Sequence, residues 1–286
     1  EDPSNETGVI DAGAAFELLQ AFALIHDDIM DDSAVRRNRP TIHVEQADRL
    51  QRGGWAGEAR RYGEGVAILV GDLAHAYADR LLSGANPATR RIWDDLRIEL
   101  NLGQYLDLRS AAAGELDAAT AQQVSMYKSG LYTIVRPLQL GASLDDDARV
   151  DDAVLDGLDR FGRPLGRAFQ LRDDLLGVVG DEATLGKPVG EDLREGKPTE
   201  LLAEARARAQ GTQRRLLDSV GRRDLSGVEV AELVAVLVDT GAVAAIEQRI
   251  AQLAVEAQSE ADRLPFDEAT TSALKALADY VATRNS

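Results

Sequence analysis

The chain has 286 residues, enough for one large domain or two small ones. It carries 32 basic and 49 acidic side chains, a formal charge of -17, and such a surface repels nucleic acid and anionic membranes. Apolar residues make up 44%, enough for a sizeable core, and the absence of cysteine excludes disulfides and thiolate metal sites and suits a cytoplasmic protein. Nothing reads as a signal peptide. No uninterrupted apolar run approaches the ~20 residues of a membrane span, so no stable membrane insertion is expected.

Alanine, leucine, glutamate and arginine dominate, and apolar residues recur at spacings of three and four. The periodicity predicts helices at about 11–32, 65–84, 87–113, 118–144, 148–179, 199–222, 227–240, 242–262 and 267–284. Asn86-Pro87 reads as an N-cap followed by proline at the first helical position, and Ser226 with Glu229 as a capping box. Pro137 and Pro164 fall inside apolar periodic stretches, where kinks or short breaks are expected. Residues 33–64 and 180–198 are rich in glycine and proline and read as long loops.

The first helix ends in "LIHDDIMDD". Asp27 and Asp31 lie one turn apart on one face, with Asp28 at its edge. Carboxylates at a helix C-terminus meet the unfavourable end of the macrodipole and repel each other. A hard divalent cation offsets both penalties, and Mg2+ takes its remaining oxygens from water or phosphate. Arg36, Arg37 and Arg39 follow at once. The helix at about 148–179 repeats the arrangement in "FQLRDDLLGVVGD": Gln170, Asp173 and Asp174 share a face, and a loop with Lys187, Arg194 and Lys197 follows. Two such helices packed together would set carboxylates on opposite walls of one cavity. The three histidines show no zinc spacing, and no EF-hand loop or nucleophile elbow is present.

In this order the motifs resemble those of the trans-isoprenyl diphosphate synthase (polyprenyl synthetase) family. "DDIMD" with Arg36-Arg37 resembles its first aspartate-rich motif and "FQLRDDLLG" its second. "YKSGLYT" resembles the lysine-containing motif between them, and "GKPVGEDLREGKPT" the closing loop. The resemblance covers about residues 10–200. It implies an all-α, single-domain bundle of about ten helices around a deep central cavity, spanning 1–286, in a protein that forms a homodimer.

The implied activity joins isopentenyl diphosphate head to tail to an allylic diphosphate. By this resemblance Asp27, Asp28, Asp31, Asp173 and Asp174 hold Mg2+, and Arg36, Lys128 and Lys187 grip the allylic diphosphate. Arg37 and Gln20 belong to the isopentenyl diphosphate site. Lys128 and Gln170 stabilise the allylic cation through their oxygens, and Ser129, Lys197, Gln104 and Asp107 are further candidates. Catalysis is assigned to Lys128, Gln170 and Asp173.

Two features depart from the family pattern. Gly177 stands where the second motif normally closes with aspartate, with Asp181 four residues on. The family's upstream Gly-Lys-x-x-Arg segment has no equivalent before residue 10, and the chain starts at Glu1 without Met, so a preceding segment is expected to be missing. Ala23 lies ~6 Å below Asp27 and Phe16 ~16 Å below, at ~1.5 Å per helical residue, with Phe22 on the flank. A small residue high up and an aromatic deep down favour geranylgeranyl diphosphate as product. The alternatives are farnesyl diphosphate, or a non-catalytic subunit of a heteromeric synthase. A terpene cyclase fits less well, because the second aspartate pair, Lys128 and Arg36-Arg37 all argue against it.

Overall fold

The computed structural model describes residues 3–113, 118–144, 151–180, 190–222 and 224–284. As expected, the described chain is almost wholly helical. One antiparallel pair of two-residue strands, Val35–Arg36 with Arg39–Pro40, interrupts the helices. The chain forms two compact units, Glu1–Arg90 with Leu144–Asp146 and Arg91–Ser143 with Asp147–Ser286.

In the first unit the helices Pro3–Met30 and Ile42–Arg52 both pack on the helix Ala59–Leu81. Ala12, Ala15 and Leu19 form the buried stripe of the first helix at spacings of three and four. Small residues on Ala59–Leu81 allow the close approach. A Cβ on Gly63 would strike the His43 carbonyl, and one on Gly71 the His26 ring. The predicted loop 33–64 therefore contains a helix that the sequence reading missed. Its glycines read as breakers, but Gly63 lies inside a helix, where close backbone contact requires it. The stretch Glu6–Met30 is also long and apolar enough to cross a membrane, by length and composition alone. Asp11 and Glu17 interrupt that run in the sequence and conceal it.

In the second unit the helix Asp152–Val179 is central. Leu158, Phe161, Leu165, Ala168, Leu171, Leu175 and Val178 line its buried face. Around it lie Ala242–Ala261, Glu268–Thr283 and the segment Met126–Val135. The N-cap at Asn86 is present, its Oδ1 accepting from Ala88 N and Thr89 N at 3.0 and 2.9 Å. So is the capping box of Ser226 and Glu229. The helix forecast over 199–222 is instead two, Glu200–Arg208 and Thr212–Leu217, broken where Gly211 takes φ +53°. The helix Asp152–Val179 runs on through Pro164 without the forecast break.

The helix forecast at 118–144 changes character midway. Ala118–Ser125 is α-helical, Met126–Val135 is a ten-residue π-helix, and Arg136–Ala142 returns to α. Pro137 sits at the start of this last helix and has no N–H to offer the preceding turn, which suits a change of register there. The π-helix crosses Asp152–Val179 at a glycine pair: a Cβ on Gly166 would stand 2.7 Å from Gly130 Cα.

Candidate active site

Asp27, Asp28, Asp31 and Arg36 gather at the C-terminal end of Pro3–Met30. Asp28 is buried, and Arg36 Nε donates to its Oδ1 at 2.7 Å. Arg36 Nη2 lies 3.6 Å from Asp27 Oδ2. Burial raises the Asp28 carboxyl above its ordinary range, opposed by the hydrogen bond and charge of Arg36, while Asp27 adds to the rise. Asp31, half-buried, follows directly after the helix, its N–H donating to the Asp27 carbonyl at 2.8 Å.

Arg36 reaches Asp28 because of the turn that follows it. Arg37 and Asn38 both have positive φ, +49° and +59°, and close a two-residue hairpin with the hand of a type I′ turn. Thr41 Oγ1 donates to the Ser33 carbonyl at 2.8 Å and Thr41 N to the Ala34 carbonyl at 3.1 Å, closing the base. Arg37 is exposed at the tip, in a conformation that disfavours an ordinary side chain. Gln20, two turns below Asp27, is half-buried. The structure thus joins Asp27, Asp28 and Arg36 directly and sets Arg37 apart from them.

Phe22 does not stand alone. Its ring centroid lies 4.7 Å from that of His26 and 4.8 Å from that of His75, so it is turned toward the helix Ala59–Leu81.

The second unit holds the other candidates. Asp173 and Asp174 project from the last turns of Asp152–Val179. Gln170 Nε2 donates to Asp174 Oδ1 at 2.7 Å. Asp174 keeps some open surface, yet the protein around it raises its carboxyl to about 8. Burial is the main cause, Asp192 and Asp173 add to it, and Gln170 and Lys197 oppose it. Asp173 accepts a hydrogen bond from Arg284, a residue the sequence reading did not single out. The two are 111 residues apart, and the only signal in the sequence is a basic residue just after a helix.

Lys128 and Ser129 lie on the π-helix, a geometry that often accompanies functional sites. Lys128 Nζ donates to Asp107 Oδ2 at 2.6 Å. Gly103, one turn before Asp107, packs on the Lys128 backbone; a Cβ there would stand 2.7 Å from Lys128 Cα. Gly103→Ala is therefore expected to push the lysine segment away and, if Lys128 grips an allylic diphosphate as the resemblance implies, to raise the KM for it several-fold while the helical circular dichroism stays unchanged. Steady-state kinetics check this. Lys197 lies 3.4 Å from Asp192 and 3.2 Å from Glu195, beside the short helix Glu191–Glu195. Lys187 and Asp181 lie outside the described residues.

Among the described residues no three acidic or histidine side chains gather as a ready-made metal cage. The donor chemistry still fits magnesium. Adjacent carboxylates supply hard oxygens, and the pressure against a second negative charge at Asp28 and Asp174 is what a divalent cation relieves.

A family model described as polyprenyl synthetase matches residues 2–237, and the chain belongs to that family. It is 32% identical to the short chain isoprenyl diphosphate synthase of Methanothermobacter thermautotrophicus, over 99% of this chain and 81% of the relative. It is 35% identical to the geranylgeranyl diphosphate synthase of Mycobacterium tuberculosis, over 88% of this chain and 69% of the relative. Its fold matches, with TM-score 0.90 and 37% identity, a geranylgeranyl pyrophosphate synthase of Corynebacterium glutamicum solved with isoprenyl diphosphate and magnesium. That match covers 97% of this chain and 79% of the other.

Proposed function

We propose that the chain is a magnesium-dependent short-chain trans-prenyl diphosphate synthase that extends allylic diphosphates with isopentenyl diphosphate, most often to geranylgeranyl diphosphate. The observation that carries this reading is the recurrence, in a polyprenyl synthetase, of paired carboxylates at two helix ends, each with a cationic side chain or amide in hydrogen-bond contact. Asp27, Asp28, Asp31, Asp173 and Asp174 are the proposed magnesium ligands. Bound magnesium would supply the positive charge that makes diphosphate a good leaving group.

The chain's own cations do the rest of the binding. Arg36, Lys128 and Lys187 hold the allylic diphosphate, with Ser129 and Lys197 assisting, while Arg37 and Gln20 serve isopentenyl diphosphate. The allylic C–O bond breaks and diphosphate leaves with the electron pair. Gln170 Oε1 and the Lys128 carbonyl stabilise the allylic cation by their dipoles. The double bond of isopentenyl diphosphate attacks that cation, forming the new C–C bond. Its C2 proton passes to the released diphosphate.

The M. tuberculosis and C. glutamicum relatives, both named for the geranylgeranyl product, support a twenty-carbon product here. Phe22, braced by His26 and His75, is the flank that limits chain growth, with Phe16 deeper on the same helix. Phe22→Ala or Phe16→Ala is expected to lengthen the product by at least one five-carbon unit. Chromatography that shows an unchanged product distribution for both variants would remove this account of length control.

The working form is read as a cytoplasmic homodimer. Leu69, Leu73 and Tyr77 are exposed at i, i+4 and i+8 on Ala59–Leu81. Ile98, Leu102 and Tyr105 are exposed at i, i+4 and i+7 on Pro87–Ala113. Such apolar stripes suit burial against a second copy.

The reading is tested by thermal shift. Magnesium and inorganic diphosphate together should raise the melting midpoint well beyond the sum of their separate effects, and Asp173→Ala should lose the joint effect while keeping its helical content. Simple additivity in the wild type contradicts the reading.

A further inference from the structure

We propose that Arg284 is a positioning residue for the second aspartate pair: a built-in cation that holds the Asp173 carboxylate and competes with a divalent ion for it. The proposal rests on the reading of Asp173 as a metal ligand.

Arg284 follows the helix Glu268–Thr283. Its Nη2 donates to Asp173 Oδ1 and, at 3.3 Å, to the Phe169 carbonyl. Its guanidinium carbon lies 4.0 Å from the centroid of the Phe169 ring. The arginine side chain is 9% exposed and that of Asp173 is 42% exposed. The cation is thus the buried partner and reaches the carboxylate from the protein side. Asp173 keeps a solvent-facing side.

A second contact fastens the same helix ends together. Arg172, next to Asp173, donates from Nη1 and Nη2 to Glu247 at 2.7 and 2.8 Å, and from Nη2 to the Ala282 carbonyl. The segment that carries Arg284 is therefore tied to the helix Asp152–Val179 at Phe169, Arg172 and Asp173. A flat guanidinium stacked on an aromatic face is a fixed charge rather than a wandering one.

The consequence is electrostatic. Asp173 is a partly exposed carboxylate, and without metal its charge is balanced from within the protein. Arg284 supplies the balancing charge. A divalent ion arriving at Asp173 meets a carboxylate already engaged by a cation, so it binds more weakly than to the bare group. Arg284 in this way sets the metal requirement of the second pair and stabilises the metal-free protein.

The test uses the full chain and Mn2+ as probe, with binding followed by electron paramagnetic resonance in the presence of inorganic diphosphate. Arg284→Gln should bind Mn2+ about two- to fivefold more tightly, the scale of a partly exposed ion pair. It should also melt at a lower temperature in EDTA. Arg284→Lys, which keeps the charge, should return the Mn2+ affinity to the wild-type value. Unchanged or weaker Mn2+ binding by Arg284→Gln overturns the proposal, even if the melting temperature falls, because a purely structural arginine would lower stability alone. Asp173→Asn separates the role of Asp173 from that of Arg284. If it binds Mn2+ as tightly as the wild type, Asp173 is not a ligand and the underlying reading fails. If it binds weakly while Arg284→Gln is unchanged, only the role of Arg284 fails.

Discussion

Asp174→Asn is expected to stabilise the metal-free protein and, at the same time, to abolish turnover. The Asp174 carboxyl is raised from 3.8 to about 8, chiefly by burial. A carboxyl whose folded pKa lies above its unfolded one holds its proton more tightly when folded. Its contribution to stability is complete below about pH 4 and is lost as pH rises toward 8. In EDTA the wild type should therefore lose stability across that window relative to the asparagine variant, which has no such titration. The gap should reach at least ~1 kcal/mol, or about 2–4 °C in melting midpoint for a unit of this size. Differential scanning calorimetry at pH 5 and pH 8.5 measures it. Turnover should fall by about a thousandfold or more, because losing a proposed magnesium ligand would remove several kcal/mol of charge stabilisation from the transition state. Equal melting curves at both pH values would show that Asp174 carries no buried-charge penalty. The same penalty is what a bound cation relieves, so stability and function make opposite demands on this residue.

Arg36→Ala should have the second largest effect, and it acts through Asp28. The arginine is the hydrogen-bonded counter-ion of a buried carboxylate. Removing it leaves that acceptor without its charged partner, at a cost of about 1–3 kcal/mol. Binding of the allylic diphosphate should weaken as well, by about one to two orders of magnitude for a lost charge-assisted contact of ~1.5–3 kcal/mol. The double variant Arg36→Ala/Asp28→Asn separates the two effects. It should recover most of the lost stability, because the neutral amide no longer needs a cation, and none of the lost binding. Urea unfolding and the KM for the allylic substrate are the two readouts. A double variant no more stable than Arg36→Ala alone would mean that the pair does not hold this helix end together.

The acidic helix ends were legible in the sequence because both signals are local. A carboxylate pair one turn from the end of an apolar helix shows its shared face through spacing alone. The caps at Asn86 and Ser226 were legible for the same reason. The hairpin after Asp28 was not, because Arg37-Asn38 closes a turn that usually announces itself with glycine. The helix Ile42–Arg52 was hidden by neighbouring glycines whose roles differ. Gly53, Gly54 and Gly57 lie in the connection, whereas Gly63 serves helix contact. Under Lys128 the π-helix brings Gly130 against Gly166 of another helix, and no short-range pattern records that meeting. Arg284 was out of reach for a similar reason. Its partner Asp173 is distant in the chain, and only folding makes the pair.

One incubation decides whether this chain builds a prenyl diphosphate. Purified protein is mixed with labelled isopentenyl diphosphate, Mg2+ and, in parallel, dimethylallyl, geranyl or farnesyl diphosphate. The products are dephosphorylated and sized by chromatography. Label is expected in a prenyl alcohol from each allylic primer, with the twenty-carbon alcohol dominant, and in none when EDTA replaces Mg2+. Label that stays in isopentenol with all three primers, in folded protein with Mg2+ present, would contradict that activity.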